Sequence, residues 1–193
     1  MALRVLDLAF VIAIGAGLGL ATAQFAVAGR PWLGRVEIGP WTTWPRAGGR
    51  DADPYMRAHL ARGVHLPLGA GEGLELIALR DDAGDALDSR CRYRIAGATP
   101  TTRAWTLNLS DEAGQPFRLT PDRHGFSDSE IVRSEDGGLL IIAAAGPESG
   151  NWLPLPASGR FRLTMRLYDT PISSHANELR PAALPSITRL DCR

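Results

Sequence analysis

The chain contains no lysine, and all 21 of its basic residues are arginine. That bias accords with codon usage in a GC-rich genome and points to no activity. Acidic residues also number 21, so the formal charge is +0 and no basic field exists to recruit nucleic-acid phosphates. There are only two cysteines, neither in a C-x-x-C pair, which excludes thioredoxin-like redox work. His59, His65, His124 and His175 stand far apart, whereas a zinc site on a helix needs two histidines at i, i+4 or a tight H-x-H pair. They read as surface or capping residues, and no metal or cofactor is expected. The string nearest to a nucleophile elbow, Gly125-Phe126-Ser127-Asp128-Ser129, lacks the closing glycine of G-x-S-x-G. Acidic residues do crowd positions 72–88: Glu72, Glu75, Asp81, Asp82, Asp85 and Asp88. Paired carboxylates can hold Ca²⁺ or act as acid and base, but the EF-hand pattern is absent and DDAGD reads as a solvated hairpin turn.

What the chain does have is one long apolar run. From Leu8 to Ala28 only Thr22 and Gln24 are polar, and a helix of that length reaches roughly 30 Å, enough to span a bilayer core. Arg4 precedes the run and Arg30 follows it. Ala21-Thr22-Ala23 and Ala26-Val27-Ala28 would each suit a signal peptidase, but the run is long for a signal and Asp7 offsets Arg4. The expectation is an uncleaved transmembrane helix in a bacterial inner membrane, the alternative a secreted or periplasmic domain after cleavage. Gly15 and Gly19 form a G-x-x-x-G pair, which small-residue spans also show without association. Arg30 and Arg35 after the helix favour a cytoplasmic C-terminus by charge count. The cysteines argue the other way, because an even pair, Cys91 and Cys192, is most simply a disulfide of an exported domain. Two unrelated buried thiols are the alternative.

The organisation expected is therefore residues 1–30 as anchor or signal, 31–50 as an extended connector, and 51–193 as one domain. Trp32, Trp41 and Trp44 in the connector suit either the membrane interface or packing on the domain, and packing is expected for the latter two. Asp53-Pro54 is an N-cap with proline at the first helical position, which predicts a helix through YMRAHLAR ending at Gly63. Beyond it the pattern has period two. Strands are predicted over 73–80, 91–97, 104–111, 117–119, 130–134, 138–145 and 160–169, with Glu135-Asp136-Gly137 as a hairpin turn between the fifth and sixth. In 91–97 Cys91, Tyr93 and Ile95 share one face against Arg92 and Arg94, and in 104–111 Trp105, Leu107 and Leu109 alternate with Thr106 and Asn108. In the last, Phe161, Leu163, Met165 and Leu167 are expected inside, and Arg160, Arg162 and Arg166 outside. The fold class is mainly β: an antiparallel sandwich of jelly-roll type with one short helix and an N-terminal transmembrane helix.

Several stretches carry a family resemblance: Asp53-Pro54-Tyr55 with Arg57-Ala58, Leu66-Pro67-Leu68-Gly69, Tyr93-Arg94-Ile95-Ala96-Gly97, Trp105-Thr106-Leu107, and above all Gly150-Asn151-Trp152-Leu153-Pro154 followed by Phe161 to Tyr168. Taken in order over about residues 41–171, they resemble the bacterial "domain of unknown function 1214" family. The resemblance implies a jelly-roll-like β domain, often found behind a domain of unknown function 1254 in exported or envelope proteins. Here a membrane segment stands in that partner's place. The family transfers no catalytic residues.

Two clusters are candidate ligand sites. Tyr55, His59 and Arg62 fall at i, i+4 and i+7 and so share a helix face, which is either a contact strip or an amphipathic helix packed by Tyr55 and solvated by Arg62. Asn151 and Trp152 sit in the Gly/Pro-rich GPESGNWLPLP loop, where they could stack on and hydrogen-bond a sugar, or where Trp152 plugs the sandwich and Asn151 satisfies the loop backbone. The leading functional expectation is a non-catalytic, membrane-anchored envelope module that binds a protein or glycan. The runner-up is an envelope enzyme acting on carbohydrate. A deep cleft with convergent carboxylates would separate the two.

Overall fold

The computed structural model describes residues 2–28, 33–62, 66–69, 71–119, 121, 123–134, 137–174 and 176–192. Trp32, His65, His175, the expected helix stop at Gly63 and the Glu135-Asp136 half of the expected hairpin lie outside these residues. The apolar run forms helix α1, Ala2–Ala28. Its Arg4–Val27 portion has a mean hydropathy of 2.1 and none of it is buried in the protein, so it is long and apolar enough to cross a membrane. Helix α2, Pro54–Arg62, starts where the cap requires: Asp53 Oδ1 accepts the backbone N–H of Tyr55 at 2.9 Å and of Met56 at 3.0 Å. The helix packs through Met56, its one buried residue, and not through Tyr55, which is 43 % exposed.

Ten strands follow among the described residues: β1 Val36–Ile38, β2 Trp41–Thr43, β3 Gly73–Ala78, β4 Cys91–Gly97, β5 Ala104–Ser110, β6 Gly125–Ser127, β7 Leu139–Ala144, β8 Trp152–Pro154, β9 Arg162–Tyr168 and β10 Ser186–Cys192. They form a six-stranded sheet in the order β1-β2-β3-β9-β5-β6 and a four-stranded sheet in the order β10-β4-β7-β8. Every pairing is antiparallel except β7 with β8, so the second sheet is mixed where a wholly antiparallel sandwich was expected. The sheets share one core. Leu74, Leu76, Trp105, Leu107, Leu163, Met165 and Leu167 from the first meet Tyr93, Ile95, Ile141, Ala143 and Ile187 from the second. Tyr93 packs edge-on against Phe161 with ring centroids 5.6 Å apart, and its hydroxyl accepts the Asp88 N–H. Trp41, fully buried, donates its indole N–H to Pro185 O at 2.8 Å and so ties β2 to the chain entering β10.

The connector expected over 31–50 is therefore not a connector throughout, because β1 and β2 extend the large sheet through β3. Three-residue strands joined at Gly39, whose φ is +59°, are too short to show a period of two. Two predicted strands do not form. At 117–119, Phe117 and Leu119 pack on the core without ladder pairing, and β6 takes the edge instead. Gly125 permits that approach, since a Cβ there would lie 2.1 Å from Leu107 O. At 130–134 the chain is a loop, although a turn closes from Ser134 to Gly138.

Cys91 and Cys192 are disulfide-bonded across the β4–β10 pair, with Cα atoms 3.9 Å apart. That is closer than the 4.4–6.8 Å usual for disulfides, at a place where the β4–β10 register shifts between Arg189 and Cys192.

Candidate functional site

The period of β9 points Leu163, Met165 and Leu167 into the core and leaves Arg162, Thr164 and Arg166 on the outer face of the large sheet. These outward residues are not solvated. Arg162 is 9 % and Thr164 6 % exposed, and Arg166 is half-buried, which corrects the expectation of exposure at Arg162 and Arg166, while Arg160 is exposed as expected. The cause is a cover that alternation cannot reveal. Helix α2, residues 66–68, the Trp44–Ala47 turn and the loop over 112–116 roof this face and enclose a cleft of about 970 Å³. The roof is itself tightly joined, since a Cβ on Gly48 would lie 2.2 Å from Leu68 O.

Register sets the floor. Arg166 lies between Glu75 of β3 and Thr106 of β5, Thr164 between Ile77 and Asn108, and Arg162 beside Ser110. Arg166 Nε donates to Glu75 Oε2 at 2.8 Å. Burial works against the Arg166 charge, but the hydrogen bonds and charges of Glu75 and Tyr168 together outweigh it and hold the guanidinium pKa above its ordinary value. Arg162 Nε donates to Ser110 Oγ at 3.0 Å. Its guanidinium lies under Gly114, where φ is +94° and a Cβ would approach Nη2 to 2.3 Å. The positive φ favours glycine at that turn position, whereas the guanidinium end could shift to admit a Cβ. Thr164 Oγ1 is buried and has no hydrogen-bond partner among the described residues.

Of the helix cluster, the structure brings His59 and Arg62 to the cleft and leaves Tyr55 outside it. Arg62 also donates to Gln24 Oε1 at 3.1 Å and to Val27 O at 3.3 Å, so it fastens α2 to the end of α1. Val27 lines the cleft as well. His124 joins His59 there, so the two described histidines face the cleft instead of open surface. The other cluster is elsewhere, on the four-stranded sheet. Asn151 is buried, accepts the Val132 N–H through Oδ1 at 2.9 Å, and donates both amide hydrogens, to Val132 O at 2.6 Å and Leu140 O at 2.8 Å. Trp152 donates its indole N–H to Ala144 O at 2.9 Å. Both side chains brace backbone, and Asn151 has no amide hydrogen left for a sugar.

The carboxylates of 72–88 disperse. Glu72 accepts the Gly69 N–H, Asp81 accepts the N–H groups of Ala83 and Asp85, Asp85 pairs with Arg189, and Asp88 pairs with Arg90. Only Glu75 reaches the cleft, where Glu112 also lies. Among the described residues, no three His, Cys, Asp or Glu side chains group closely enough to hold a metal ion. The cleft was missed in the sequence because its walls come from segments far apart in the chain.

A family profile described as "Protein of unknown function (DUF1214)" matches residues 72–172, just over half the chain. The chain belongs to the DUF1214 family. The profile runs from β3 to the end of β9, so the cleft floor lies within the DUF1214 segment and much of its roof before it. No curated protein matches the chain. Among solved structures, the VPA0106 protein from Vibrio parahaemolyticus is similar, with 21 % identity, a TM-score of 0.58, and coverage of 73 % of this chain and 36 % of that one. At that identity the likeness is one of fold, and the DUF1214 chain spans about a third of that protein's length. An uncharacterised protein from Burkholderia cenocepacia is 19 % identical with a TM-score of 0.41, over 77 % of this chain and 46 % of that one.

Proposed function

We propose that this DUF1214 chain is a membrane-anchored module of the bacterial envelope whose β-sandwich binds a ligand, without catalysis, in the cleft on the outer face of the large sheet. The cleft carries the reading. Its volume falls in the range of small-molecule sites, and it combines an apolar roof with a polar floor. Insertion of β9 between β3 and β5 supports the jelly-roll reading of the sandwich, since it returns the chain between earlier strands as Greek-key connections do. The exposed apolar helix supports anchoring, and the disulfide supports an oxidising compartment outside the cytoplasm.

The runner-up, hydrolysis of carbohydrate, draws on Glu75 and Glu112 lining the same cleft. Binding is preferred because Glu75 is held by the Arg166 guanidinium, and a carboxylate so held is poorly suited to passing a proton.

Native mass spectrometry of the full-length protein released from its own membranes tests the reading. A retained small molecule is expected, and Ala47→Trp, which narrows the cleft from its roof, should weaken retention at unchanged melting temperature. Equal retention by both forms would move binding elsewhere. Alkaline carbonate washing should leave the full-length chain in the membrane pellet, and a soluble form beginning at Gln24 or Gly29 would make the segment a cleaved signal.

A further inference from the structure

Resting on the reading of α1 as a membrane anchor, we infer that the cover of the cleft is an interaction surface for an anionic phospholipid leaflet: α2 and the 44–50 and 66–69 segments lie on the head groups where α1 leaves the bilayer. The point of fastening sets the position. Arg62, the last residue of α2, donates to Gln24 Oε1 and to Val27 O, and both acceptors belong to the apolar Arg4–Val27 portion of α1. A domain joined inside the last turn of a span has that end at head-group depth. A long arginine side chain suits the place, because its stem runs along hydrocarbon while its guanidinium reaches phosphate. Apolar side chains stand open beside it. Phe25 of α1 is 87 % exposed, and Leu66, four residues beyond Arg62, is 84 % exposed. Leu66 and Val27 both line the cleft, so its mouth lies at the same level.

Charge decides which way the domain leans about that joint. Residues 44–62 carry Arg46, Arg50, Arg57 and Arg62 against Asp51 and Asp53, a positive excess in a chain that is neutral overall. All four arginines are exposed, and none pairs with a carboxylate among the described residues. Arg57 donates to Arg50 O, and Arg62 to the two acceptors on α1, so neutral partners hold these side chains and leave their charge uncompensated. Arg46, Arg50 and Arg57 do not line the cleft and are open to the outside of its cover. Arg57 lies about 7.5 Å from Arg62 along the helix axis, within a Debye length of the head groups. The Arg57–Arg50 bond and the close packing of Gly48 on Leu68 join the three segments, so they meet the leaflet together. On the four-stranded sheet, by contrast, Arg92 is paired with Asp191 and Glu148, and Arg189 with Asp85. Clustered arginines beside a span are drawn to anionic lipid, whereas a second copy of this chain on the same surface would bring like charges together.

The test places a bimane fluorophore on one added cysteine at a time in the full-length protein, held in nanodiscs that contain a nitroxide-bearing lipid. Cys91 and Cys192 are bonded to each other, so only the added thiol reacts. Leu66→Cys reports the cover, Val132→Cys reports the exposed loop beside the four-stranded sheet, and Leu18→Cys reports the middle of α1. In discs of phosphatidylcholine with phosphatidylglycerol, a shallow nitroxide should quench the Leu66 label several-fold more than the Val132 label. That excess should fall several-fold in phosphatidylcholine alone, at high salt, and in the double variant Arg50→Gln, Arg57→Gln. An unchanged excess without phosphatidylglycerol would overturn the anionic partner. Equal quenching at 66 and 132, with the Leu18 label quenched by a deep nitroxide, would leave the anchor in place and overturn the docked cover. A Leu66 label shielded from water yet unquenched would put protein on that surface and overturn it as well. If the Leu18 label escapes the deep nitroxide, α1 does not lie in the bilayer, and the anchor reading fails together with this inference.

Discussion

Two strands of this protein carry the same written pattern and meet opposite fates. In β4, Cys91, Tyr93 and Ile95 turn inward while Arg92 and Arg94 turn outward. In β9, Leu163, Met165 and Leu167 turn inward while Arg162, Thr164 and Arg166 turn outward. The outer side of β4 faces solvent, where Arg94 is exposed and Arg92 pairs with Asp191 and Glu148 at the rim. The outer side of β9 is the floor of a roofed cleft. Alternation therefore fixes which side chains enter the core, and it says nothing about what covers the other face. One arginine row is surface and the other lines a cleft because α2 and the 44–49 and 66–69 segments lie over only one of the two sheets.

The disulfide should produce the largest difference. The four-stranded sheet ends in β10, which buries only Ile187, so it is held by its ladder to β4 and by Cys91–Cys192 more than by the core. The bond closes a sequence separation of 101, worth about 4–5 kcal/mol in the chain-entropy treatment. Reduction followed by denaturant unfolding should show that loss, and amide exchange should rise first along β10 while the cleft floor stays protected. Uniform exchange in both sheets would mean that the two respond as one cooperative unit.

Core truncation comes next. Leu163→Ala removes a fully buried side chain beneath the cleft floor and should cost about 2–5 kcal/mol in urea unfolding. The outward arginines then break the comparison or sharpen it. Arg162→Ala leaves the buried Ser110 hydroxyl without its donor and a gap under Gly114, for an expected loss of about 1–3 kcal/mol. Arg94→Ala should stay within about 0.5 kcal/mol. Equal costs at Arg162 and Arg94 would mean that the roof does not seal the cleft floor.

Much of this was readable beforehand, for reasons that differ by element. Strands β3, β4, β5, β7 and β9 are six or seven residues long and alternate apolar core residues with more polar ones, so period two locates them nearly to the residue. Helix α2 was announced by Asp53-Pro54, and the cysteine pair by its even count. Strands β1, β2, β6 and β8 have three residues each, below the length at which a period exists. Residues 117–119 looked like a strand because Phe117 and Leu119 do pack on the core, but apolar packing without a ladder leaves the same trace in a sequence. Of the expected site residues, His59 and Arg62 reach the cleft through helix periodicity, whereas Asn151 and Trp152 proved to hold backbone. Arg162, Thr164 and Arg166 were visible as letters and invisible as the floor of a cleft.

The smallest expected effect belongs to the solvent side, at the entry to β4. Asp88 accepts hydrogen bonds from the Arg90 side chain and backbone N–H, and these, chiefly the side-chain bond, hold its carboxyl down at about 2 from an ordinary 3.8. A carboxylate with a depressed folded-state pKa stabilises the fold while it is ionised in both states, so the contribution is complete above about pH 5 and fades as pH falls from 4 toward 2. Arg90 is two-thirds exposed, so solvent screening reduces the gain to a few tenths of a kcal/mol. Asp88→Asn should therefore shift the urea midpoint slightly at pH 6 and lose that difference at pH 2. A loss above 1 kcal/mol at pH 6 would show that arginines on the open side hold the fold as firmly as those under the cleft roof, and the contrast between the two sheets would dissolve.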